Sequence, residues 1–211
     1  MLKGNKIYYE GADYCVPYNE DEFVKAMIAC QTNDIQIVKN YKGDINDKVL
    51  WYSTKEYAYV PEQSLLSIAC RYGNIDIVEH LLNKKAKVDD QDEYGSTPLH
   101  YATMKGHLDV IKLLVKYGAN VNKKACKQFV RIYKPGTSKQ TGTYETPMHN
   151  ACRMGHLHVV EYLLTVGGEE SLNMKDHFGR TPKYYCEEGE WIEQTLEIKA
   201  IESFLNNYTA K

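Results

Sequence analysis

Apolar residues recur along this chain at helical spacing, in short blocks separated by glycine and polar turns. In residues 108–115, Leu108, Ile111, Leu114 and Val115 stand at steps of 3, 3 and 1, the one-sided stripe of an amphipathic helix. Just upstream, Leu99 and Ala102 share a face at i, i+3. They follow Thr97, a good N-cap, and Pro98, whose ring is preorganised for the first helical position. Gly106 is placed to end this first helix and Gly118 the second, where a left-handed residue carries no steric penalty. The block predicts a helix pair whose single apolar face has nothing of its own to pack against, so it needs a neighbour to stack on.

The block has copies. "STPLHYATMKGHLDVIKLLVKYGANVN" aligns without a gap to "QSLLSIACRYGNIDIVEHLLNKKAKVDD" upstream, with Ala69 to Ala102 and Gly73 to Gly106 each 33 residues apart. Downstream, "ETPMHNACRMGHLHVVEYLLTVGG" takes Ala102 to Ala151 and Gly106 to Gly155, each a step of 49, which is 33 plus 16. A fainter copy, "EFVKAMIACQTNDIQIVKN", puts Ala29 and Ile35 opposite Ala69 and Ile75 at an offset of 40. Its helix-ending slot holds Asn33, the residue next best suited to a left-handed backbone. In the slot of Gly118 the second copy has Lys85, which predicts a lysine at positive φ. Near the C-terminus "FGRTPKYYCEEGE" repeats Gly-x-Thr-Pro.

Five units follow, at approximately 20–40, 62–92, 95–122, 144–175 and 179–208, interrupted by insertions at 41–61 and 123–143 and preceded by an extension or cap over 1–19. A period of about 33 with the signature T-P-L-H-x-A resembles the ankyrin repeat family. The resemblance implies an all-α solenoid of stacked helix-turn-helix units with β-hairpin-like fingers. It also implies a non-enzymatic protein-protein interaction module, an adaptor or scaffold gripping its partner through a concave face and loop fingers. The first repeat has Val24, Lys25, Ala26 and Met27 in place of the signature, the second has Ser64, Leu65, Leu66 and Ser67, and the fifth replaces Leu and His by Lys183 and Tyr184. Degenerate terminal units are common where repeats act as caps.

Composition adds exclusions. The formal net charge of −2 gives no global attraction to nucleic acid or an acidic membrane. No apolar run approaches a membrane span, and the N-terminus "MLKGNKIYYEGADYC" lacks an apolar signal core, so a soluble, non-secreted single domain in the cytoplasm or nucleus is the default reading. Met1 and an acidic capping unit are what a complete, monomeric chain would carry. Cys30, Cys70 and Cys152 occupy one slot of the repeat; helices stacked roughly 8–10 Å apart keep their Cα atoms beyond disulfide reach, so these thiols are expected reduced and in the core. His149 and Cys152 stand at i, i+3, but two groups fall short of a structural zinc set, and neither H-E-x-x-H nor C-x-x-C occurs. No metal, cofactor or catalytic residue is assigned.

Candidate function therefore falls on surfaces. His100 and His149 sit where the family's T-P-L-H places a structural histidine bonding within and between repeats; His107, His156 and His158 are read as caps or as exposed. By position in the repeat, the resemblance assigns protein contacts to the tip residues Glu93, Tyr94 and Ser96. On the first helices it assigns them to Arg71 and Tyr72, Met104 and Lys105, and Arg153 and Met154. The insertion 41–61 is read as a loop carrying Trp51, Tyr52, Tyr57 and Tyr59, which either form a recognition surface, being of types enriched in binding hot spots, or fold back to seal the side of the solenoid. The insertion 123–143 holds six basic residues and no acid; its alternation and Pro135-Gly136 turn predict a β-hairpin finger. Lys127, Arg131, Tyr133 and Lys134 would meet an acidic patch on a protein partner. Alternatively, the chain is an inhibitor or regulatory subunit that places this finger in an acidic cleft. Nucleic acid is the weaker reading of the same charge. Asn122, in a repeat-end turn, resembles asparagines hydroxylated in ankyrin proteins. In the last unit, Ile192, Leu196, Ile201 and Leu205 are expected to form the apolar face.

Overall fold

A computed structural model of the chain describes residues 22–53, 58–125, 128–129, 140–141, 144–187 and 196–209. Helix pairs succeed one another along the sequence. α1 (Glu22–Thr32) and α2 (Ile35–Asn40) form the first, α3 (Leu65–Tyr72) and α4 (Ile75–Asn83) the second, and α5 (Pro98–Lys105) and α6 (Leu108–Lys116) the third. α7 (Pro147–Arg153) and α8 (Leu157–Thr165) form the fourth, followed by a 3-10 turn over Gly168–Asn173 and by α9 (Tyr184–Glu187) and α10 (Leu196–Thr209). First helices pack in the order α1, α3, α5, α7, α9; α2, α4 and α6 form a second layer beside them, and α8 packs on α10. This is an all-α solenoid, with its core running through the pairs as a continuous line. Met27, Leu65, Ile68, Ile77, Leu81, Leu99, Ile111, Leu114, Met148, Leu163 and Ile201 are among its fully buried members.

Helices α3, α5 and α7 open on a cap, and α1, α3, α5 and α7 are each followed by a left-handed residue. Thr97 and Thr146 are extended N-caps followed by proline, and Ser64 accepts the Ser67 N–H at 3.3 Å. The closing slot holds Asn33 (φ 62°), Gly73 (76°), Gly106 (73°) and Gly155 (76°). Lys85 has φ 65° in the slot where Gly118 has 88° and Gly167 has 97°, as its alignment predicts. Gly73 and Gly106 are constrained twice, because a β-carbon on either would come within 2.8 Å of the His107 or His156 ring of the next repeat.

Three expectations need correcting. The 41–61 insertion is an antiparallel hairpin rather than a loop, β1 (Lys48–Ser53) pairing with β2 (Ala58–Ser64) through an irregularity between Val49 and Trp51. It runs directly into the N-cap of α3, and Lys48 ties it to the next finger by an ion pair with Asp90 (2.8 Å) and a bond to the Gln91 carbonyl (2.7 Å). In α10 the buried face is Ile198, Ile201 and Leu205, while Leu196 is 84% exposed at the helix start; Ile192 lies outside the described residues. Finally, His107 and His156 are neither side-chain caps nor free surface groups, as their bonds show below.

The 123–143 finger begins as predicted, with β3 (Gln128–Phe129) antiparallel to β4 (Gln140–Thr141). Its base is closed by backbone bonds from Ala125 N to Glu145 O (2.9 Å) and from Tyr144 N to Ala125 O (2.8 Å). Cys30, Cys70, Cys152 and Cys186 are buried free thiols; burial pushes Cys30 up to about 12. Cys15 and Cys126 lie outside the described residues.

Candidate functional site

The histidines of the two Thr-Pro-x-His motifs are scaffold. His100 Nδ1 accepts the Thr97 backbone N–H (3.1 Å) and lies 2.8 Å from the Thr97 hydroxyl, while Nε2 faces the Glu145 carbonyl of the next repeat at 3.1 Å. His149 repeats this with Thr146 (3.1 and 2.9 Å) and the Arg180 carbonyl (3.2 Å). An Nδ1 that accepts an N–H must be unprotonated, so both rings are neutral with the proton on Nε2. Burial holds each down to about 4. They stand on successive layers, each tied to its own Thr and the following repeat, and share no ligand.

A second ladder joins neighbouring first helices by their C-terminal carbonyls, which have no partner within the helix. Asn74 donates to the Cys30 carbonyl (2.6 Å), His107 Nε2 to Arg71 (3.2 Å) and His156 Nε2 to Met104 (3.3 Å). His158 reaches the Gly106 carbonyl at 3.2 Å. Asn74, His107 and His156 share one slot, so the signal was present in the alignment; what each residue touches depends on the stacking.

Two finger tips are knotted alike. Asp92 accepts the Tyr94 and Ser96 N–H groups, both at 2.8 Å, and the Tyr101 hydroxyl at 2.5 Å. Asp176, 84 positions on, accepts the Phe178 and Arg180 N–H groups (2.8 and 2.9 Å), Arg180 Nε (2.8 Å) and the Tyr185 hydroxyl (2.7 Å). Burial pushes the Asp176 carboxyl up, but these bonds outweigh it and hold the group below its usual value. Burial beside these carboxylates raises both tyrosines.

Tyr72 and Met154 are 48% and 44% exposed, Lys105 is exposed, and Arg71 and Met104 are half-buried at the ends of α3 and α5. Glu93, Tyr94 and Ser96 form the half-buried tip before α5. Arg153 is already engaged: it bridges Glu145 (2.9 Å) and the side-chain Oδ1 of Asn150 (2.7 Å) and lies over the Tyr185 ring at 5.8 Å. Lys127, Arg131, Tyr133 and Lys134 lie outside the described residues, as does Tyr57. Asn122 is held in the stack, donating to the Gly167 carbonyl (2.9 Å) and accepting the Ser171 hydroxyl (2.5 Å).

The described first helices carry Lys25, Arg71, Lys105 and Arg153 against Glu22 and Glu187, while the second helices are mixed, with Lys39 in α2, Asp76 and Glu79 in α4, Asp109, Lys112 and Lys116 in α6, and Glu161 in α8. Among the described residues there is no cluster of three or more His, Cys, Asp or Glu placed for a metal, and no helix is long and apolar enough to cross a membrane.

Comparison with known proteins agrees with this architecture. Models described as ankyrin repeats match residues 26–125 and 104–164. The chain is 38% identical over 104 residues to the ankyrin repeat and KH domain-containing protein mask of Drosophila melanogaster, covering 47% of this chain and 2% of that protein. Against an ankyrin repeat protein of Rickettsia bellii it is 30% identical over 119 residues, covering 47% of this chain and 67% of the relative. Against ankyrin repeat domain-containing protein 49 of Bos taurus it is 38% identical over 74 residues, covering 34% and 31%. Repeat register, helix pairs, left-handed slots and sequence matches lead to one conclusion: this chain belongs to the ankyrin repeat family.

Proposed function

We propose that the chain is a non-enzymatic adaptor that holds a protein partner against the exposed edge of its first helices, and that the partner presents an acidic surface there. Ankyrin repeats are in general protein-protein interaction modules, built from scaffold rather than catalytic groups. The observation that supports this reading is a recurrence: Arg71 and Lys105 stand at one position of successive first helices beside Tyr72 and Met104, while His100 and His149 are consumed by inter-repeat bonds. Basic and large apolar residues together are what an interface core uses. Arg153 contributes through the bridge that fixes Glu145, so the test leaves it in place. The double variant Arg71→Glu/Lys105→Glu should keep the wild-type circular dichroism spectrum and lose the proteins that the wild-type chain retains from lysate, identified by mass spectrometry. An unchanged retained set would reject this face.

The closed base of the second finger favours one alternative, an inhibitor or regulatory subunit acting through the basic insertion. Because the chain leaves at Ala125 and returns at Tyr144 through two backbone bonds, removal of 126–143 should leave the stack folded. Inhibition of a captured enzyme by the full chain, abolished by that deletion, is the outcome this alternative requires.

A further inference from the structure

At the tip leading into the third first helix, and again at the tip leading into the fifth, the chain turns through a left-handed glycine, Gly95 (φ 84°) and Gly179 (φ 79°). The slot between them in the series, 49 positions after Gly95, is occupied by Tyr144 at φ 58°. A non-glycine residue in this region is strained, and such strain concentrates where a side chain is needed. What the tyrosine adds is its ring. It stacks on His177 (centroids 6.0 Å apart, planes at 21°), and His177 meets Phe178 edge to face at 5.4 Å. Phe178 is 73% exposed at the apex of the tip. Aromatic groups left in water on a rigid tip are unusual unless they take a partner.

The charged groups around this platform are not balanced. The two nearby carboxylates are buried and fully used: Asp176 by Phe178 N, Arg180 N, Arg180 Nε and Tyr185, and Glu145 by Arg153 and Tyr185. Among the described residues Arg180 makes its side-chain hydrogen bond through Nε, to Asp176, and it is also attracted by the Glu145 carboxylate, with its guanidinium 4.5 Å from the Phe178 ring and 4.8 Å from that of Tyr185. Its two terminal nitrogens have no hydrogen bond among the described residues, and they form the fork that suits a carboxylate. Lys175, next to Asp176 in the chain, is exposed, and Lys124 donates to the Lys175 carbonyl at 3.3 Å.

We propose that Tyr144, His177, Phe178 and Arg180 form a docking site for a linear protein segment in which an Asp or Glu stands next to a large aromatic or aliphatic residue. The carboxylate pairs with the Arg180 fork, and the apolar side chain lies on Phe178 and the His177–Tyr144 stack. This rests on the reading above that the chain binds proteins, but it assigns the contact to the tip rather than to the exposed ends of α3 and α5.

The test uses the full chain and a displayed library of random peptides, with enriched sequences synthesised and titrated by fluorescence anisotropy. Enriched peptides should share the acidic-apolar pair. Phe178→Ala, at a site too exposed to affect folding, should weaken them by about tenfold or more. Tyr144→Gly supplies the readout that a purely structural tyrosine would fail: it should hold or raise the unfolding midpoint while weakening the peptide. A lowered midpoint with peptide affinity intact overturns the proposal. So do enriched peptides without an acidic preference, a library that yields none, or an oligouridylate probe that binds and is released by Phe178→Ala. Peptides that respond to Arg71→Glu/Lys105→Glu and not to Phe178→Ala leave the first-helix reading standing and remove this one; the reverse pattern does the opposite.

Discussion

Acidification should unfold this stack through His100 and His149. Both rings accept a backbone N–H at Nδ1, so a second proton would set one N–H against another inside the core. Their folded values near 4 lie below the ordinary 6.5, and the folded chain therefore binds fewer protons than the unfolded chain between those values. The contribution of each ring is complete above pH 6.5, falls as pH drops through the window, and changes no further below about 4. At about 1.36 kcal/mol per unit, lowering the pH from roughly 7.5 to 5 costs about 2 kcal/mol per histidine and about 4 for the pair, a large share of a typical 5–15 kcal/mol. Urea unfolding followed by circular dichroism at the two pH values measures this loss. His149→Gln, less stable at the higher pH, should show about half the loss attributed to the pair. His100→Gln/His149→Gln should retain only the smaller slope from His80 and His156, whose values burial also lowers. Wild type and double variant losing the same free energy on acidification would refute the reasoning.

Backbone slots give further expectations. Lys85→Gly should raise stability by about 1 kcal/mol, since φ is 65° and the side chain is exposed; a lower urea midpoint would count against it. Gly106→Ala should cost roughly 1–3 kcal/mol more than Gly118→Ala, because only the former brings a methyl within 2.8 Å of the His156 ring while nothing lies within 4 Å of the latter. Equal midpoints in thermal melts would show that the ring moves aside freely. Tyr101→Phe should lose about 1–2 kcal/mol by removing the hydroxyl that Asp92 accepts at 2.5 Å, and near-neutral behaviour would mean that water replaces it.

What could be read from the letters was whatever the repeats compare. Asn33 and Lys85 could be assigned positive φ because glycines stand in their slots, and His100 could be read as scaffold because His149 repeats it 49 positions later. Features without an internal copy were harder. The β1–β2 segment has no sequence copy among the repeats, and its residues do not alternate cleanly enough to declare two strands. The phase of α10 depends on where it begins, and Ile198 rather than Leu196 enters the core. Arg153 looked exposed because its partner Glu145 is eight residues back, across the helix N-cap, where no i, i+4 rule applies. Tyr144 was legible in principle by subtraction from Gly95, but a tyrosine suggests a surface ring before it suggests a strained turn.

The two insertions reveal how such a stack can vary without losing stability. Between the third and fourth first helices the step lengthens from 33 to 49 residues, yet the bonds that join the layers stay in register. His100 still reaches Glu145, Asn122 still reaches Gly167 and Ser171, and His156 still reaches Met104. The reason is local: Ala125, Tyr144 and Glu145 close the excursion with two backbone bonds, so the chain re-enters near the point where it left. Loop-closure entropy grows only as the logarithm of length, and the sixteen extra residues therefore cost little once that base is formed. The hairpin before α3 is likewise fastened at its start by Lys48 to Asp90 and Gln91, and at its end by the Ser64 cap. Inter-repeat bonds thus hold the register while the tips and insertions carry the residues that differ between layers. Substitutions at exposed tip positions should therefore change stability little, whereas changing Thr97, His100, Gly106 or His156 would disturb two repeats at once.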